Sequence, residues 1–273
     1  MNNVASSPSA VSASTLDAPD IDSLEPDAAA PTAAVLLIGN ELLSGRTQDI
    51  NLAYIAQAMV AKGIRLLEAR VIPDFPDAIV AAVNELRARH DYVFTTGGIG
   101  PTHDDITADC VADAFVVPLL MHPEAKARLL TYFAARDIEP NEDRLRMARI
   151  PEGASLVDNP VSAAPGFRMG NVFVFAGVPR IMQAMLDSVI PELKGGPIVR
   201  SVTVACNLGE GSVATALRQL QEQYPGADIG SYPGKTGERF RLSLVARSTD
   251  QQELLLIEQA LQQLVVDAGG EIT

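Results

Sequence analysis

The sequence predicts an α/β protein: an open sheet with helices on both faces, followed by a small α+β unit. Three observations carry this. From residue 33, short apolar runs that suit buried parallel strands alternate with stretches of helical periodicity. Glycine-rich loops stand where those strands end, which is where open α/β sheets bind ligands. After the Gly-Gly-Pro of PELKGGPIVR the pattern changes, and two strand-like runs follow each other with no helix between them.

AAVLLIG, starting at Ala33, is a continuous apolar run stopped by Gly39 and reads as the first strand. A helix over Ile50–Lys62 follows from Ile50, Ala53, Tyr54, Met59 and Val60 at helical spacing, with Gly63 as its stop. IRLLEARVI is the second strand, PDAIVAAVNELRAR a helix begun near Asp74 or Pro76, and DYVFTT the third strand. Each strand–helix–strand unit takes a right-handed crossover by default. DITADCVADAF reads as a helix carrying Asp104 and Asp105 at its N-terminal end, and PEAKARLLTYFAAR and EDRLRMARI read as helices too. ASLVDNP, GFRMG and NVFVFAG are short strands or loops, and Pro179 starts a helix over Val178–Leu186.

Beyond the linker, RSVTVACNLG is a strand, EGSVATALRQLQEQY an amphipathic helix and ADIGSYPGK a strand ending in a Pro-Gly turn. ERFRLSLVAR alternates as a strand, and TDQQELLLIEQALQQLVVDAG is a helix with Thr249 as its N-cap. The expected organisation is a disordered tail over 1–32, an α/β domain over 33–195 and a β-α-β-β-α domain over 200–273.

Of the 273 residues, 47% are hydrophobic, enough for a sizeable core, and the formal net charge is −13. Asp17, Asp20, Asp22, Glu25 and Asp27 lie in the tail, which holds no Lys or Arg. An acidic chain without a basic block cannot neutralise phosphates along a nucleic acid, nor hold an anionic membrane surface. Cys110 and Cys206 sit in apolar surroundings and read as buried thiols in a reducing compartment. His90, His103 and His122 show no metal-ligand spacing. No apolar run reaches membrane-span length and the N-terminus lacks the pattern of a signal peptide, so the cytoplasm is the expected location.

Three loops fall at the expected rim, GNELLSG (Gly39–Gly45), TTGGIGPTHDDIT (Thr95–Thr107) and AGVPRIM (Ala176–Met182), and a fourth, Pro- and Gly-rich segment, NPVSAAPGF (Asn159–Phe167), is a candidate to approach it. Gly97, Gly98 and Gly100 let a ligand approach the backbone, and their N–H groups, with the Thr95, Thr96 and Thr102 hydroxyls, suit phosphate oxygens. The same glycines equally suit a tight strand–helix turn, and the stretch matches neither a Walker A loop nor G-x-G-x-x-G. Asp104 and Asp105 admit two readings: helix-start caps, or, with Glu41, ligands for Mg²⁺, a hard cation that takes carboxylates and substrate phosphates together. The second would reconcile a phosphate loop with adjacent negative charge, and one Asp would alternatively orient or deprotonate a water. Arg180, Lys235, Arg239 and Arg241 are the basic residues available for further phosphate contacts.

Taken together, GNELLSG, TTGGIGPTHDDIT, PEGASLVDNPVSAAPGF and FAGVPRIM resemble the CinA-like (competence/damage-inducible protein A) family over residues 33–190, in matching order. That family carries the molybdopterin-binding domain of cofactor-biosynthesis proteins, and the C-terminal unit resembles its KH-like domain. The resemblance implies a three-layer α/β/α sandwich that binds a nucleotide or a pterin, with a homodimer as the assembly. It implies that the nicotinamide-nucleotide deamidase domain of longer members is missing. The activity it implies first is metal-dependent hydrolysis of ADP-ribose or FAD. Its alternatives are molybdopterin binding or adenylylation, and nucleotide binding without chemistry. The matching positions are Glu41, Gly97, Gly98, Gly100, Pro101, Thr102, Asp104, Asp105, Thr107, Gly177 and Pro179. Asp104 and Asp105 would be catalytic and, with Glu41, would hold a divalent metal; the remaining loop positions would bind substrate. Asn40 departs from the Asp usual in the first loop, and Asp49 and Asn51 stand where the family often has Asn.

Overall fold

The computed structural model of the protein describes residues 30–234 and 242–272. Most of the expected 1–32 tail, and Lys235, Arg239 and Arg241, lie outside the described residues.

The first unit is built on a six-stranded mixed sheet. Strand β1 (Thr32–Ile38) is flanked on both sides by parallel partners, β2 (Arg65–Ile72) and β3 (Tyr92–Thr96). On the far side of β3 lies β8 (Val172–Phe175), also parallel, and then β7 (Gly166–Met169) and β6 (Ser155–Val157), each antiparallel to its neighbour. The order is β2-β1-β3-β8-β7-β6. The chain therefore steps from β1 to one side and later to the other, which makes the gap between β1 and β3 a topological switch point.

The apolar runs are continuous because both sheet faces are covered. Ala34, Leu36 and Ile38 point into a cluster with α3 (Pro76–Arg89), α4 (Thr107–Phe115) and α5 (Pro123–Ala134). Ala33, Val35 and Leu37 point the other way, toward α2 (Asn51–Lys62) and α7 (Pro179–Val189). On that second face Phe94, Phe173 and Phe175 pack as a cluster, with the Phe94 and Phe173 ring centres 5.4 Å apart. The result is the three-layer sandwich.

Three local expectations are corrected. First, α4 begins at Thr107, so Asp104 and Asp105 lie in the preceding loop and not on the helix. Second, EDRLRMARI is only briefly helical: α6 (Glu142–Arg146) gives way to β5 (Arg149–Pro151), which pairs antiparallel with β4 (Leu119–Met121) and buries Ile150. That pairing outweighs a helical propensity too short to sustain itself. Third, GNELLSG contains a one-turn helix, α1 (Asn40–Leu43).

The second unit is an antiparallel sheet ordered β10-β11-β9, from β9 (Arg200–Cys206), β10 (Asp228–Pro233) and β11 (Leu242–Ser248). One face carries α8 (Glu210–Gln223) and α9 (Gln251–Asp267), whose Leu217, Ile257 and Leu261 share a core with Val204, Leu242 and Leu244 of the sheet. Asp250, not Thr249, caps α9: its carboxylate accepts from the Gln252 and Glu253 N–H groups at 2.8 and 3.2 Å. An aspartate carboxylate accepting two N–H groups beside a positive helix end outcompetes a threonine hydroxyl one residue earlier.

Cys110 and Cys206 are both buried free thiols, in different units. Burial, with Asp109 and Asp113 adding to it, pushes the Cys110 thiol up to about 11. Thiolate is the reactive form. Titration with an aromatic disulfide reagent at pH 8 is therefore expected to label neither cysteine in the native protein and both in urea.

Candidate functional site

The carboxyl ends of β1, β3 and β8 finish level with one another: Leu37 is paired with Thr96, and Thr96 with Phe175. The loops that leave these strands therefore share one rim. They enclose a cleft of about 550 Å³ lined by Glu41 and Thr47 from the first loop, Gly97–Pro101, Asp104 and Asp105 from the second, and Ala176–Pro179 from the third. Asn159, Ser162 and Ala164 close it from the fourth segment, and Met147 and Met185 give it apolar walls.

The glycine turn is demanded first by packing. Gly97 and Gly98 have φ of +104° and +66°, in the left-handed region that side chains avoid. A Cβ on Gly97 would stand 2.2 Å from the Ile38 carbonyl, and one on Gly98 2.2 Å from the Thr107 hydroxyl. The tight-turn reading is thus part of the answer. Thr107 is fully buried and clamps the turn from beneath: its hydroxyl donates to Gly97 O and its N–H to Gly98 O, both at 2.9 Å. It lies under the loop and does not line the cleft, so its place is that of a positioning residue.

What this leaves free matters more. The Gly97 N–H is spent on Phe175 O at 3.1 Å. The N–H groups of Gly98, Ile99 and Gly100 donate to no protein acceptor among the described residues. Three successive unpaired N–H groups at a strand's carboxyl end form a concavity suited to an anionic oxygen. Expectation and structure therefore differ in one residue: Gly97 lines the cleft without offering its donor.

Asp104 is exposed and Asp105 half-buried on the same rim. Thr102 ties the loop shut, donating from its N–H and its hydroxyl to Asp105 Oδ2 at 2.8 and 2.5 Å. The Thr102 hydroxyl, followed by Asp104's own backbone N–H, also holds the Asp104 carboxyl below the usual carboxylate range, so it is ionised at neutral pH. Thr102 itself is exposed outside the lining, as is Arg180.

Glu41 shares the cleft with both aspartates, but among the described residues no three His, Cys, Asp or Glu side chains converge closely enough to hold a metal ion. Asp74 was legible only as a helix start. It brings a fourth carboxylate to the lining and accepts from the Asn40 N–H at 2.8 Å. Asn40 does not line the cleft, so the charge missing there is missing beside the cleft and not within it. Among the described residues no Lys or Arg lines the cleft either.

The comparisons identify the family. Residues 34–195 match the family described as "Probable molybdopterin binding domain", and 199–269 match "FAD synthase, middle domain". The first match covers more than half of the chain, so the protein belongs to the molybdopterin-binding-domain family. Within it the chain is a CinA-like protein. It is 37% identical over 210 residues to a CinA-like protein of Desulfosudis oleivorans, covering 72% of this chain and 51% of that one. It is 31% identical over 259 residues to a protein of Aeropyrum pernix, covering 89% of this chain and 97% of that one. The solved structure of CinA from Thermoplasma acidophilum, of unknown function, superposes with a TM-score of 0.55 at 32% identity, over 60% of this chain and 98% of that one. The chain thus spans about half the length of the Desulfosudis protein and nearly all of the Aeropyrum one. Among the described residues no helix is long and apolar enough to cross a membrane.

Thr107→Val strips the donor from the buried Gly97 carbonyl and is expected to cost roughly 1–3 kcal/mol. Urea unfolding measures this. Gly98→Ala, strained by its φ and by the Thr107 hydroxyl, is expected to cost at least as much in the same titration.

Proposed function

We propose that this chain is a metal-dependent pyrophosphatase that hydrolyses the phosphoanhydride of a dinucleotide-like substrate such as ADP-ribose or FAD. The observation that carries it is the juxtaposition of three unpaired N–H groups, on Gly98, Ile99 and Gly100, with the Asp104 and Asp105 carboxylates on the same rim. The N–H groups hold an anionic phosphate oxygen and stabilise the charge that develops on it. Gly177 and Pro179 bound the substrate from the facing loop.

A cleft that holds four carboxylates and, among the described residues, no Lys or Arg repels a pyrophosphate unless a cation accompanies it. The residues present fit a hard divalent ion such as Mg²⁺, which keeps waters and takes one or two carboxylates plus substrate phosphates, and do not fit a closed protein cage. Asp104, Asp105 and Glu41 would hold it, and it would supply charge neutralisation. In the hydrolysis a water oxygen bonds to one phosphorus, the bridging P–O bond breaks, and the ionised Asp104 accepts the water's proton. With ADP-ribose the products are AMP and ribose 5-phosphate. The match of residues 199–269 to the middle domain of FAD synthase supports including a flavin dinucleotide among the substrates.

A second reading, binding or adenylylation of molybdopterin, is favoured by the family match over 34–195. It uses the same cleft. Pterin fluorescence co-purifying with the protein distinguishes it.

The deciding experiment is chromatography of products after incubation with ADP-ribose or FAD, with Mg²⁺, Mn²⁺ or Co²⁺ and with EDTA. AMP is expected only with metal. Asp104→Asn is expected to lower the rate by roughly 10²–10³ without moving the unfolding midpoint. Gly100→Ala, whose Cβ would stand 2.5 Å from Asp105 Oδ2, is expected to displace that carboxylate and lower the rate too. No AMP from any pair, or full activity in Asp104→Asn, would overturn the proposal.

A further inference from the structure

β2 is an edge of the main sheet: β1 pairs with it on one side, and among the described residues no strand follows on the other. Ile72 O accepts from the Gly39 N–H at 3.1 Å, so by alternation Ile72, Arg70 and Glu68 turn their backbone groups toward β1. Ala69 and Val71 turn theirs outward, and Leu67, the extra residue of a bulge, has no β1 partner either. Such an edge is a template for another strand.

Its side chains sort by face. Ala69 and Val71 lie on the face of their β1 partners Val35 and Leu37, the face that α2 covers. Yet Leu67, Ala69 and Val71 are exposed, Leu67 by 51% and Val71 by 45%. Val60, on the α2 helix that packs against β2, is a further exposed apolar side chain. Strands of a parallel sheet ordinarily have both faces covered, so this apolar edge is incomplete in a single copy. The opposite face is charged but balanced: Arg70 and Arg89 each bridge to both Glu68 and Glu85. A second copy, which the net charge of −13 otherwise repels, meets no excess of like charge in these four groups.

The residues of β2 fit their own copy. Two such strands related by a twofold axis run antiparallel, and the axis must pass through a residue, because a one-residue slip sets the apolar face of one copy beside the charged face of the other. An axis at Glu68 or Arg70 puts like charges opposite each other. An axis at Ala69 puts Leu67 opposite the partner's Val71, and Glu68 opposite the partner's Arg70 at a position without ladder hydrogen bonds, where side chains approach most closely. It also sets the outward N–H and C=O groups of Ala69 against those of the partner's Ala69, as a ladder requires.

We infer that β2 is the interface between two copies of this chain, paired antiparallel about Ala69 so that their sheets join into one. The interface is independent of the chemistry of the cleft.

The test is sedimentation equilibrium of the full chain at micromolar concentrations, with twice the 29.0 kDa chain mass expected. Ala69→Pro removes an N–H that a single copy leaves unpaired, and is expected to give the mass of one chain. Glu68→Arg and Arg70→Glu each set like charges opposite one another and are each expected to weaken association at least about tenfold. Mixed in equal amounts, these two variants are expected to restore the dimer, because every Arg then faces a Glu. Should any of the three not fold, Ala69→Cys decides: oxidised, it is expected to cross-link to a covalent dimer, the two native thiols being buried. A single-chain mass for the unaltered protein overturns the interface. So does a dimer that survives Ala69→Pro, a failure of the mixed variants to recover, or the absence of a cross-link through Ala69→Cys.

Discussion

The hydrogen bond from the buried Thr107 hydroxyl to the Gly97 carbonyl is the constraint on which the rim depends. β3 delivers the chain to the surface with its last N–H groups committed to the sheet. The turn must then reverse into α4 within a few residues, across the face of Ile38. Thr107 satisfies the two carbonyls on the inner side of that turn, Gly97 O and Gly98 O. The N–H groups on the outer side, from Gly98 to Gly100, consequently face the cleft with nothing to bind. A requirement of packing thereby produces a surface of free N–H donors, among the described residues.

Electrostatics complete the site and restrict it. Donors of partial charge attract an oxyanion, while Glu41, Asp74, Asp104 and Asp105 make the same space negative. These tendencies coexist only for a ligand that arrives with a cation, or for one whose anionic part is confined to the N–H groups and whose neutral, hydroxyl-bearing part fills the acceptor-lined remainder. The proposed dinucleotide substrate meets both conditions. The loops are also tied to one another: Asn51 grips the Gly177 carbonyl, Asp74 the start of α1, and Thr102 binds Asp105 within its own loop. Such cross-ties hold the loops in place before a ligand binds.

Much of this was legible in the sequence because it is encoded locally. Apolar runs of strand length, helical periodicities with their stops, and glycines where strands end all act over a few residues, and they placed β1, α2, β2, α3 and β3 correctly. Where local signals misled, a partner distant in sequence was the cause. β5 exists because β4 pairs with it, and the Asp104–Asp105 pair left the helix because Thr107, not either aspartate, is the residue the glycine turn buries.

The sequence by itself determined the fold class, the family and the gathering of glycine loops and carboxylates at one sheet edge, since each is written in contiguous motifs. The tertiary structure alone decided which of those groups remain available. The Gly97 N–H is consumed by Phe175 and the Asn51 amide by Gly177, 126 residues away, while the Gly98–Gly100 donors and Asn51 Oδ1 are left unpaired. Whether a polar group is free depends on what is packed against it, and packing partners far apart in the chain leave no trace in local residue patterns.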